Sequence, residues 1–486
     1  MPDPSLHRPL SASAVESWDH ETDVLIAGFG AAGACAAIEA AGAGASVTIL
    51  ERNSGSGGAS ALSGGEIYIG GNGGTDAQRD AGFEDSTEDF ETYLKLAGGP
   101  CANDAKCELY AREALEHYAW LKEQGVPYRG NFLPGKLIEP PDDSTLIWSG
   151  SEAAAPFCDH AKPAPRGHTI QHEGWGGGRP LVDVLEARAV ELGATVQTDT
   201  RVLGLIEEDG RIVGAVAKSD GSLRFIRAAK GVLLASGGFV MNEEMRRKHC
   251  PDTFKINDPI GDKDDGQGIL MGVGAGGEAV HMDQFFTTCP WTMPEPQAYG
   301  VFVNVHGQRF INEDCYHGRV SRCAVDQPGG KVYLLLDNAR FSEPAEFART
   351  AIAATGDTWE EVEAELEMPL GTLSHTMAFY NDHAREGSDP LFDKRAPILT
   401  PLDQAPFVAL ELNFETSYFS FFTLGGLNTS VDGEVLRSDG TRVDGLFAAG
   451  RCTHGLPAWG HGYSSGLSLA DCTFFGRQAG RAAANG

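Results

Sequence analysis

Asp23-Val-Leu-Ile-Ala-Gly-Phe-Gly-Ala-Ala-Gly33 is the stretch that decides the fold of this chain. Its apolar residues, Val24 to Ala27, predict a buried parallel strand that breaks at the first glycine. The small residues from Ala34 to Ala41 predict a helix, and Ser46 to Leu50 predicts a second strand. In a Gly-x-Gly-x-x-Gly turn the glycines permit a tight bend, close approach to a pyrophosphate and close helix–strand packing. The stretch therefore predicts an α/β fold that begins with a dinucleotide-binding βαβ unit.

An acidic residue and a long loop make this motif specific. With 62 glycines in 486 residues, the glycine pattern alone is expected about once by chance. Glu51, however, ends the second strand at the distance where a carboxylate accepts hydrogen bonds from an adenosine ribose. The glycine- and serine-rich loop 54–65 then supplies many backbone donors, where a nicotinamide-binding unit would move directly into its next helix. These features favour FAD as the dinucleotide.

The composition excludes several classes of function. Lys and Arg number 38 against 68 Asp and Glu, a net charge of −30, so the surface repels nucleic acid and anionic membranes. The 10 cysteines form no Cys-x-x-Cys pair, which argues against a metal site, an iron–sulfur cluster and a disulfide framework. The N-terminal residues lack a signal-peptide pattern, and no run reaches the ~18 apolar residues of a transmembrane helix. We therefore expect a cytoplasmic protein of two or three domains.

The other elements are predicted from periodicity and turn residues. Residues 1–20 are expected to form a disordered or surface-wrapped arm, and residues 126–170 to form loops over the cofactor domain. Asp209-Gly210 and Asp220-Gly221 predict hairpin turns between short strands. Helices are predicted at 86–97, 104–124 and 180–192, and an amphipathic helical stretch at 341–367. Strands are predicted at 194–197, 202–207, 211–218, 223–227 and from 230 onward.

The end of the chain is predicted to return to the first domain. Residues 444–450 predict a strand and a turn, and residues 464–470 predict the start of a terminal helix. The positive end of that helix dipole can stabilise negative charge on a reduced flavin. We therefore expect an FAD-binding domain that is divided in sequence, residues 1–281 and 423–486, around a capping or catalytic domain of α+β type, residues 282–422.

These motifs resemble those of the flavoprotein family of fumarate reductases, succinate dehydrogenases and 3-ketosteroid dehydrogenases. The resemblance covers residues 20–486 and rests on the first glycine turn with Glu51, Gly57-Gly58, Ala235-Ser-Gly-Gly238 and the segment 445–450. It implies a Rossmann-like FAD-binding domain of the second glutathione-reductase type, with substrate held under the inserted domain. The FAD-binding residues that follow are Gly28, Gly30, Ala31, Ala32, Gly33, Glu51, Arg52, Gly58, Ala59, Ser60, Ser63, Gly64, Gly65, Val202, Ala235, Ser236, Gly237, Gly450, Ser465, Leu467 and Ser468.

Departures from the family pattern narrow the function. Members with covalent flavin carry a histidine near the early glycine loop, and residues 59–71 contain none, so non-covalent FAD is expected. Fumarate and succinate enzymes carry an arginine in a C-terminal segment, whereas residues 454–466 contain none. A dicarboxylate would therefore lack its bidentate partner, and His454 and His461 could substitute only when they are protonated. Arg451 stands where the family usually has an acidic residue, so we expect no ribityl contact from its side chain.

The C-terminal segment instead resembles that of the 3-ketosteroid dehydrogenases. Gly460-His-Gly-Tyr463 matches their Gly-His-x-Tyr motif, and residues 308–316 resemble their segment that ends in a catalytic tyrosine, here Tyr316. Ser465 favours the members that oxidise the C4–C5 bond of 5α-3-ketosteroids to 4-ene-3-ketones. The resemblance implies that Tyr463 polarises the ketone, that Tyr316 acts as base through Ser465, and that flavin N5 takes the C5 hydride.

Tyr316 can act as a base only under certain conditions. A tyrosine can act as a base if its proton is relayed onward, or if its pKa, about 10 when unperturbed, is depressed. Tyr463 and Tyr316 could also exchange the roles of base and ketone donor. The residues leave both questions open.

Three alternative functions remain. Δ1-dehydrogenation of the same ketones comes second, and reduction of an unsaturated acid, as in fumarate reductases, comes third. A flavin subunit that passes electrons to a partner is a candidate of another class, and the physiological electron acceptor is not predicted.

Several aromatic residues could line an apolar steroid slot or form a core between domains: Phe285, Phe286, Trp291, Phe419, Phe421, Phe422 and Trp459.

Overall fold

The computed structural model describes residues 7–289, 291 and 295–486. The strands are β1 (Leu10–Ser11), β2 (His20–Ala27), β3 (Val47–Leu50), β4 (Glu66–Tyr68), β5 (Phe132–Lys136), β6 (Leu146–Trp148), β7 (Gly167–Thr169), β8 (Thr195–Gln197), β9 (Thr200–Glu208), β10 (Arg211–Ser219), β11 (Ser222–Leu234), β12 (Asp258–Pro259), β13 (Ala279–Val280), β14 (Phe285–Thr288), β15 (Val301–Val303), β16 (Lys331–Asp337), β17 (Ala351–Gly356), β18 (Phe407–Asn413), β19 (Ser420–Thr423), β20 (Gly426–Leu427), β21 (Glu434–Leu436) and β22 (Arg442–Ala448). The α-helices are α1 (Ala31–Gly42), α2 (Gly58–Ala61), α3 (Asp76–Asp80), α4 (Thr87–Gly98), α5 (Asp104–Glu123), α6 (Gly178–Glu191), α7 (Glu243–His249), α8 (Gln267–Gly274), α9 (His317–Val325), α10 (Trp359–Glu365), α11 (Thr372–Arg385) and α12 (Leu467–Asn485).

A large mixed sheet contains the first βαβ unit. β2 lies between β3 and β11 and runs parallel to both, and α1 begins at Ala31 directly after the glycine turn. The predicted βαβ unit is therefore confirmed. β22, from the end of the chain, pairs in parallel with β11 through Leu446 to Ala448. The sheet thus unites strands from both ends of the sequence, as the predicted return of the chain requires.

The long strand β11 joins the two halves of this sheet. Its first part pairs antiparallel with β10 across the predicted Asp-Gly hairpin at 220–221, and β9 and β10 meet at the hairpin at 209–210. Its last part, from Gly231 to Leu234, pairs in parallel with β2. The strands predicted at 223–227 and from 230 onward are therefore one continuous strand, which pairs with β2 on both sides of a register shift between Ala228 and Gly231.

Two predicted regions differ from the structure. Residues 126–170 are not only loops, because β5, β6 and β7 join β4 in a sheet beside the cofactor region. The stretch 341–367 is not mainly helical: β17 occupies Ala351–Gly356 and pairs with β18, and only α10 follows. Pairing with a neighbouring strand outweighs the helix propensity of the alanines in this segment. Residues 1–6 of the predicted arm lie outside the described residues, and β1 pairs with β9 at the sheet edge.

β15, β16, β17 and β18 form a separate antiparallel sheet that α10 and α11 cover. This sheet falls inside the range predicted for the capping domain, while the exact domain boundaries stay a prediction.

In the described part of the chain, no helix is long and apolar enough to cross a bilayer. No group of three or more His, Cys, Asp or Glu side chains among the described residues is placed to hold a metal ion.

The terminal helix α12 packs unusually closely against α1. A Cβ atom built on Gly480 would lie 2.3 Å from the carbonyl oxygen of Ala36, and one on Gly476 would lie 2.6 Å from that of Ala32. Glu39 of α1 also accepts hydrogen bonds from Arg477, at 2.9 Å, and from Arg481, at 2.7 Å. Small residues and a shared carboxylate therefore hold the two helices at a distance that larger side chains would not allow.

We expect Gly480→Ala to destabilise the protein by about 1–3 kcal/mol, because its methyl group meets backbone that can only move with α1. Gly42→Ala is the matched control, since a Cβ there has no neighbour within 4 Å, and its melting temperature should be unchanged or slightly raised. Thermal unfolding followed by circular dichroism makes the comparison. Equal melting temperatures for the two variants would contradict the close packing of α1 and α12.

Candidate functional site

A cavity of about 100 Å³ lies where β2, β3 and β11 end, and we call it the glycine cavity. In an open α/β sheet, ligands bind outside the carboxyl ends of the strands. Many of the predicted cofactor residues line this cavity: Gly28, Gly30, Glu51, Arg52, Gly58, Ala59, Ser60, Val202, Ala235, Ser236 and Gly237. The structure therefore brings together residues that are far apart in the sequence.

The first glycine turn leaves no room for a side chain at Gly28. Gly28 has a φ of +107°, and a Cβ built on it would stand 2.5 Å from the carbonyl oxygen of Ala235. Glu51 is buried beside the turn, where its carboxylate accepts hydrogen bonds from the backbone N–H groups of Phe29 and Asn53, both at 2.9 Å. These bonds fix the carboxylate at the end of β3, where each oxygen still has a lone pair for a ribose hydroxyl.

The segment 262–267 forms another wall of the glycine cavity and was absent from the predicted set. Arg52 donates to the carbonyl oxygen of Lys263 at 2.7 Å and pairs with Asp265 at 2.9 Å, while Asn53 donates to Asp262 at 2.7 Å. The charged run between Gly261 and Gly266 was the only sequence signal for this wall. Its place at the cavity depends on contacts across about two hundred residues of sequence.

A larger cavity of about 450 Å³ adjoins the first one, and we call it the tyrosine cavity. Ala59 and Ser60 line both cavities, so the early glycine- and serine-rich loop connects them. Its walls include further predicted residues: Ser63, Gly64, Tyr316, Tyr463, Ser465 and Ser468. The glycine turn and the two tyrosines therefore lie in adjoining cavities that have this loop as a common wall.

Some predicted cofactor residues line neither cavity in the described part of the chain: Ala31, Ala32, Gly33, Gly65, Gly450 and Leu467. They lie immediately behind the walls instead. Ala31 donates its N–H to the Ser60 hydroxyl at 3.3 Å, and a Cβ on Gly33 would stand 2.1 Å from the carbonyl oxygen of Gly28. A contact from these residues to a ligand would have to come from the backbone, so their binding role stays a prediction.

The two tyrosines sit together and each bonds to a different serine. The Tyr316 hydroxyl donates to Ser465 Oγ at 3.0 Å, and the Tyr463 hydroxyl donates to Ser468 Oγ at 3.0 Å. The ring centroids of the tyrosines are 6.5 Å apart. Tyr316 comes directly before α9, and Tyr463 comes just before α12, so different elements bring them to one cavity. The predicted link between Tyr316 and Ser465 is present.

Burial sets the acidity of these phenols. It raises the pKa of Tyr463 to about 12, and it raises the pKa of Tyr316 well above the usual value, with a further contribution from the neighbouring Tyr463. Neither phenol is therefore ionised near neutral pH. Of the two ways in which a tyrosine could act as base, the raised pKa values argue against a depressed pKa and favour a relayed proton.

Apolar rings frame the tyrosines on one side. Phe286 lies 4.3 Å and Phe422 lies 5.7 Å from Tyr463, measured between ring centroids, and both phenylalanines line the cavity. Other members of the predicted aromatic set are core residues rather than cavity residues: Phe285, Trp291, Phe419 and Phe421. Some aromatic residues of the set therefore line the cavity, and others belong to the hydrophobic core.

Arg451 also lines the tyrosine cavity, but its guanidinium already forms an ion pair. Its guanidinium pairs with Asp264 and lies 4.9 Å from the ring centroid of Phe422. Burial raises the pKa of Asp264, and the charge of Arg451 opposes that effect. This ion pair stands between the two cavities, because Asp264 lines the glycine cavity. Arg451 is therefore directed at an acidic partner and away from a free anion in the cleft.

Comparison with known proteins agrees with this arrangement. Residues 23–467 match the protein family described as FAD binding domain. The crystal structure of 3-ketosteroid-Δ4-(5α)-dehydrogenase from Rhodococcus jostii RHA1, in complex with 4-androstene-3,17-dione, is 42% identical and has a TM-score of 0.91. That match covers 98% of this chain and 99% of the other.

Curated relatives belong to more than one branch of the family. The 3-oxo-5-alpha-steroid 4-dehydrogenase of Comamonas testosteroni is 28% identical over 90% of this chain and 94% of its own length. The probable fumarate reductase Ifc3 of Shewanella frigidimarina is 29% identical over 95% of this chain and 75% of its own length. The shared domain, the two adjoining cavities and these matches agree with one another. The chain belongs to the FAD-binding-domain family of oxidoreductases, and FAD is its cofactor.

Proposed function

We propose that this flavoprotein oxidises the C4–C5 bond of 5α-3-ketosteroids to give 4-ene-3-ketosteroids. The observation that carries the proposal is the arrangement of Tyr463, Tyr316 and Ser465 in a cavity that adjoins the glycine cavity. The 42% identity to a 3-ketosteroid-Δ4-(5α)-dehydrogenase with a bound steroid supports the same conclusion. The sequence does not predict the electron acceptor, and a cytoplasmic location stays a prediction.

We assign a role to each of the three residues. Tyr463, a neutral phenol with a raised pKa, donates its hydrogen to the ketone oxygen in place of Ser468 Oγ and stabilises the enolate that develops there. Ser465 takes the C4 proton, and Tyr316 donates to its oxygen and holds it in place. FAD, when bound, supplies the acceptor for the C5 hydride. Uncharged donors suit this reaction because a steroid would strip water from any ion in the cavity.

The cofactor contacts are also proposed from the cleft. The glycine turn at Gly28 and the carboxylate of Glu51 suit the pyrophosphate and adenosine end, and the loop from Gly58 to Gly64 suits the flavin end. The N-terminus of α12, preceded by Ser465, brings positive dipole charge to the flavin end. With no histidine in residues 59–71, non-covalent attachment remains our proposal.

The charge of the cavity distinguishes this function from reduction of a dicarboxylate. Arg451 is the only arginine on the cavity wall in the described part of the chain, and it is paired with Asp264. Arg319 donates to the backbone carbonyl of His461, at 2.6 Å, and does not line the cavity. Among the described residues of this wall, a substrate with two carboxylates would therefore find no arginine or lysine other than Arg451, which already forms an ion pair.

Anaerobic mixing of the oxidised enzyme with candidate substrates tests the proposal. We expect 5α-androstane-3,17-dione to bleach the flavin band at about 450 nm, while 4-androstene-3,17-dione and succinate leave it unchanged. Bleaching by the 4-ene ketone would favour Δ1 chemistry instead. Bleaching by succinate, or by none of the three, would contradict the proposed function.

Tyr463→Phe removes the proposed ketone donor without changing the shape of the ring. We expect the rate of flavin reduction at saturating substrate to fall by about 10²–10³-fold, with a much smaller change in substrate Kd. Tyr333→Phe, in β16 and away from the cleft, is the control and should reduce flavin at the normal rate. A normal rate in Tyr463→Phe would remove this residue from the mechanism.

Gly28→Ala tests the cofactor contacts. The added methyl would meet the Ala235 carbonyl in a backbone conformation that favours glycine, so the purified variant should contain little FAD. Gly55→Ala lies in the adjoining loop, where a Cβ has no neighbour within 4 Å, and should keep its FAD. The ratio of flavin to protein absorbance measures both. Full FAD content in Gly28→Ala would show that the turn is not the binding site.

A further inference from the structure

The proposed reaction needs a final acceptor for the C4 proton. Tyr316 and Tyr463 cannot supply one near neutral pH, because burial raises the pKa of each phenol. Ser465 is an alcohol, so it can pass a proton on but cannot keep it. The three residues assigned so far therefore transfer the proton without removing it from the reacting atoms.

Glu66 is a buried acid on the wall of the same cavity and has no role in the scheme so far. It begins β4, and only 5% of its surface is exposed. Its Oε1 atom is buried and has no hydrogen-bond partner among the described residues. A buried carboxylate oxygen is normally hydrogen-bonded, so its lack of a partner in a residue of the cavity wall calls for a functional explanation.

Gly167 leaves the space that this carboxylate occupies. A Cβ built on Gly167, in the neighbouring strand β7, would stand 2.2 Å from Glu66 Oε1 and 2.5 Å from Ser149 Oγ. The carboxylate and the Ser149 hydroxyl therefore lie side by side. Ser149 in turn is bound to Ser465 twice: Ser465 N–H donates to the Ser149 carbonyl at 2.8 Å, and Ser149 Oγ donates to the Ser465 carbonyl at 3.2 Å.

The backbone also brings Glu66 to Ser465. Tyr68 N–H donates to the carbonyl oxygen of Gly466 at 3.2 Å, so β4 runs directly against the residues that follow Ser465. Gly466 allows this approach, because a Cβ on it would lie 2.8 Å from Tyr68 N. Since Tyr316 donates its own hydrogen to Ser465 Oγ, the hydrogen of the serine hydroxyl is directed elsewhere in the cavity.

We propose that Glu66 is the terminal proton acceptor of this site and receives the substrate proton through the hydroxyl of Ser465. This inference rests on the proposed function. The C4–H bond breaks and its proton forms a new O–H bond on Ser465 Oγ, while the original serine proton moves to the Glu66 carboxylate. The electron pair left at C4 forms the C4–C5 double bond as the C5 hydride, with its two electrons, reduces the bound FAD. Ser465 ends unchanged, and Glu66 ends as a neutral acid.

The charges around Glu66 suit such an acceptor. Burial raises its pKa to about 8, and the hydroxyls of Ser149 and Ser465 oppose that rise. Glu139 and Glu152 add to the rise, and the phenols of Tyr316 and Tyr463 also face this carboxylate. The acceptor is a carboxylate above this pKa and a neutral acid below it, so flavin reduction should accelerate as the pH rises through about 8.

Two other residues on the cavity wall could compete for the proton. Glu139 lies at the wall beside Gly64 and already accepts a hydrogen bond from the Gly176 N–H at 3.0 Å. His317 follows Tyr316 and is bound to Thr288 Oγ1. Both are therefore included in the test as alternatives to Glu66.

The experiment compares Glu66→Gln, Glu66→Asp, Glu139→Gln and His317→Asn with the wild type. Stopped-flow reduction by 5α-androstane-3,17-dione is recorded between about pH 6.5 and 9.5 in the FAD-loaded enzymes. We expect Glu66→Gln to lose the rise in rate near pH 8 and to be slower by about 10²-fold at high pH. Glu66→Asp should restore the rise, and the other two variants should keep it.

A second measurement does not depend on turnover. Infrared difference spectra of the substrate-free holoenzyme, titrated over the same pH range, should contain the loss of a protonated-carboxyl band in the wild type. The same band should be absent from Glu66→Gln and present in Glu139→Gln. A band that follows Glu139 instead would overturn the inference.

The outcomes separate the two proposals. If the wild type is not reduced by the 5α-ketone, the proposed function fails and the relay fails with it. If the wild type is reduced but Glu66→Gln keeps the pH-dependent rise, only the relay is wrong. A rise that is lost in His317→Asn, and kept in Glu66→Gln, would assign the proton to the histidine.

Discussion

The close contact of the terminal helix with the first βαβ unit determines the rest of this molecule. α12 can lie against α1 and β4 only because Gly466, Gly476 and Gly480 place no side chain between the two backbones. This packing carries Tyr463, Ser465 and Ser468, from the last part of the chain, to a cavity whose opposite wall comes from residues 59–66. The catalytic cavity therefore forms through helix packing, which brings together residues that are far apart in the sequence.

Exclusion of charge is the second constraint, and it links substrate choice to proton transfer. A cavity that accepts an apolar ketone must present its donors as neutral groups, since an unpaired ion would resist the loss of water. The same burial that keeps Tyr463 a donor also prevents Tyr316 from becoming a base. The proton must then move to another group, and Glu66 on β4 is a buried acid on the wall of the same cavity.

The sequence was sufficient for features whose chemistry is local. Gly28 and Glu51 could be identified because a turn between a strand and a helix imposes its own residue types and spacing. Tyr316, Tyr463 and Ser465 were identified from motif resemblance, which carried information about tertiary structure that spacing does not contain. Glu66 and Asp264 had no such signal. Each is an ordinary acidic residue in the sequence, and its importance arises from burial and from partners that are distant along the chain.

Arg451 illustrates how a substitution within a family pattern can leave the outcome unchanged. An arginine on the wall of a substrate cavity would ordinarily predict an anionic substrate. Here the Asp264 carboxylate neutralises it, and the ring of Phe422 packs against its guanidinium. Asp264 in turn needs the arginine, because a carboxylate so deeply buried would otherwise take up a proton. The pair therefore adds no net charge at the junction between the glycine cavity and the tyrosine cavity. An apolar substrate can approach this junction without meeting an isolated ion, which is the condition that the neutral phenols already impose on the rest of the site.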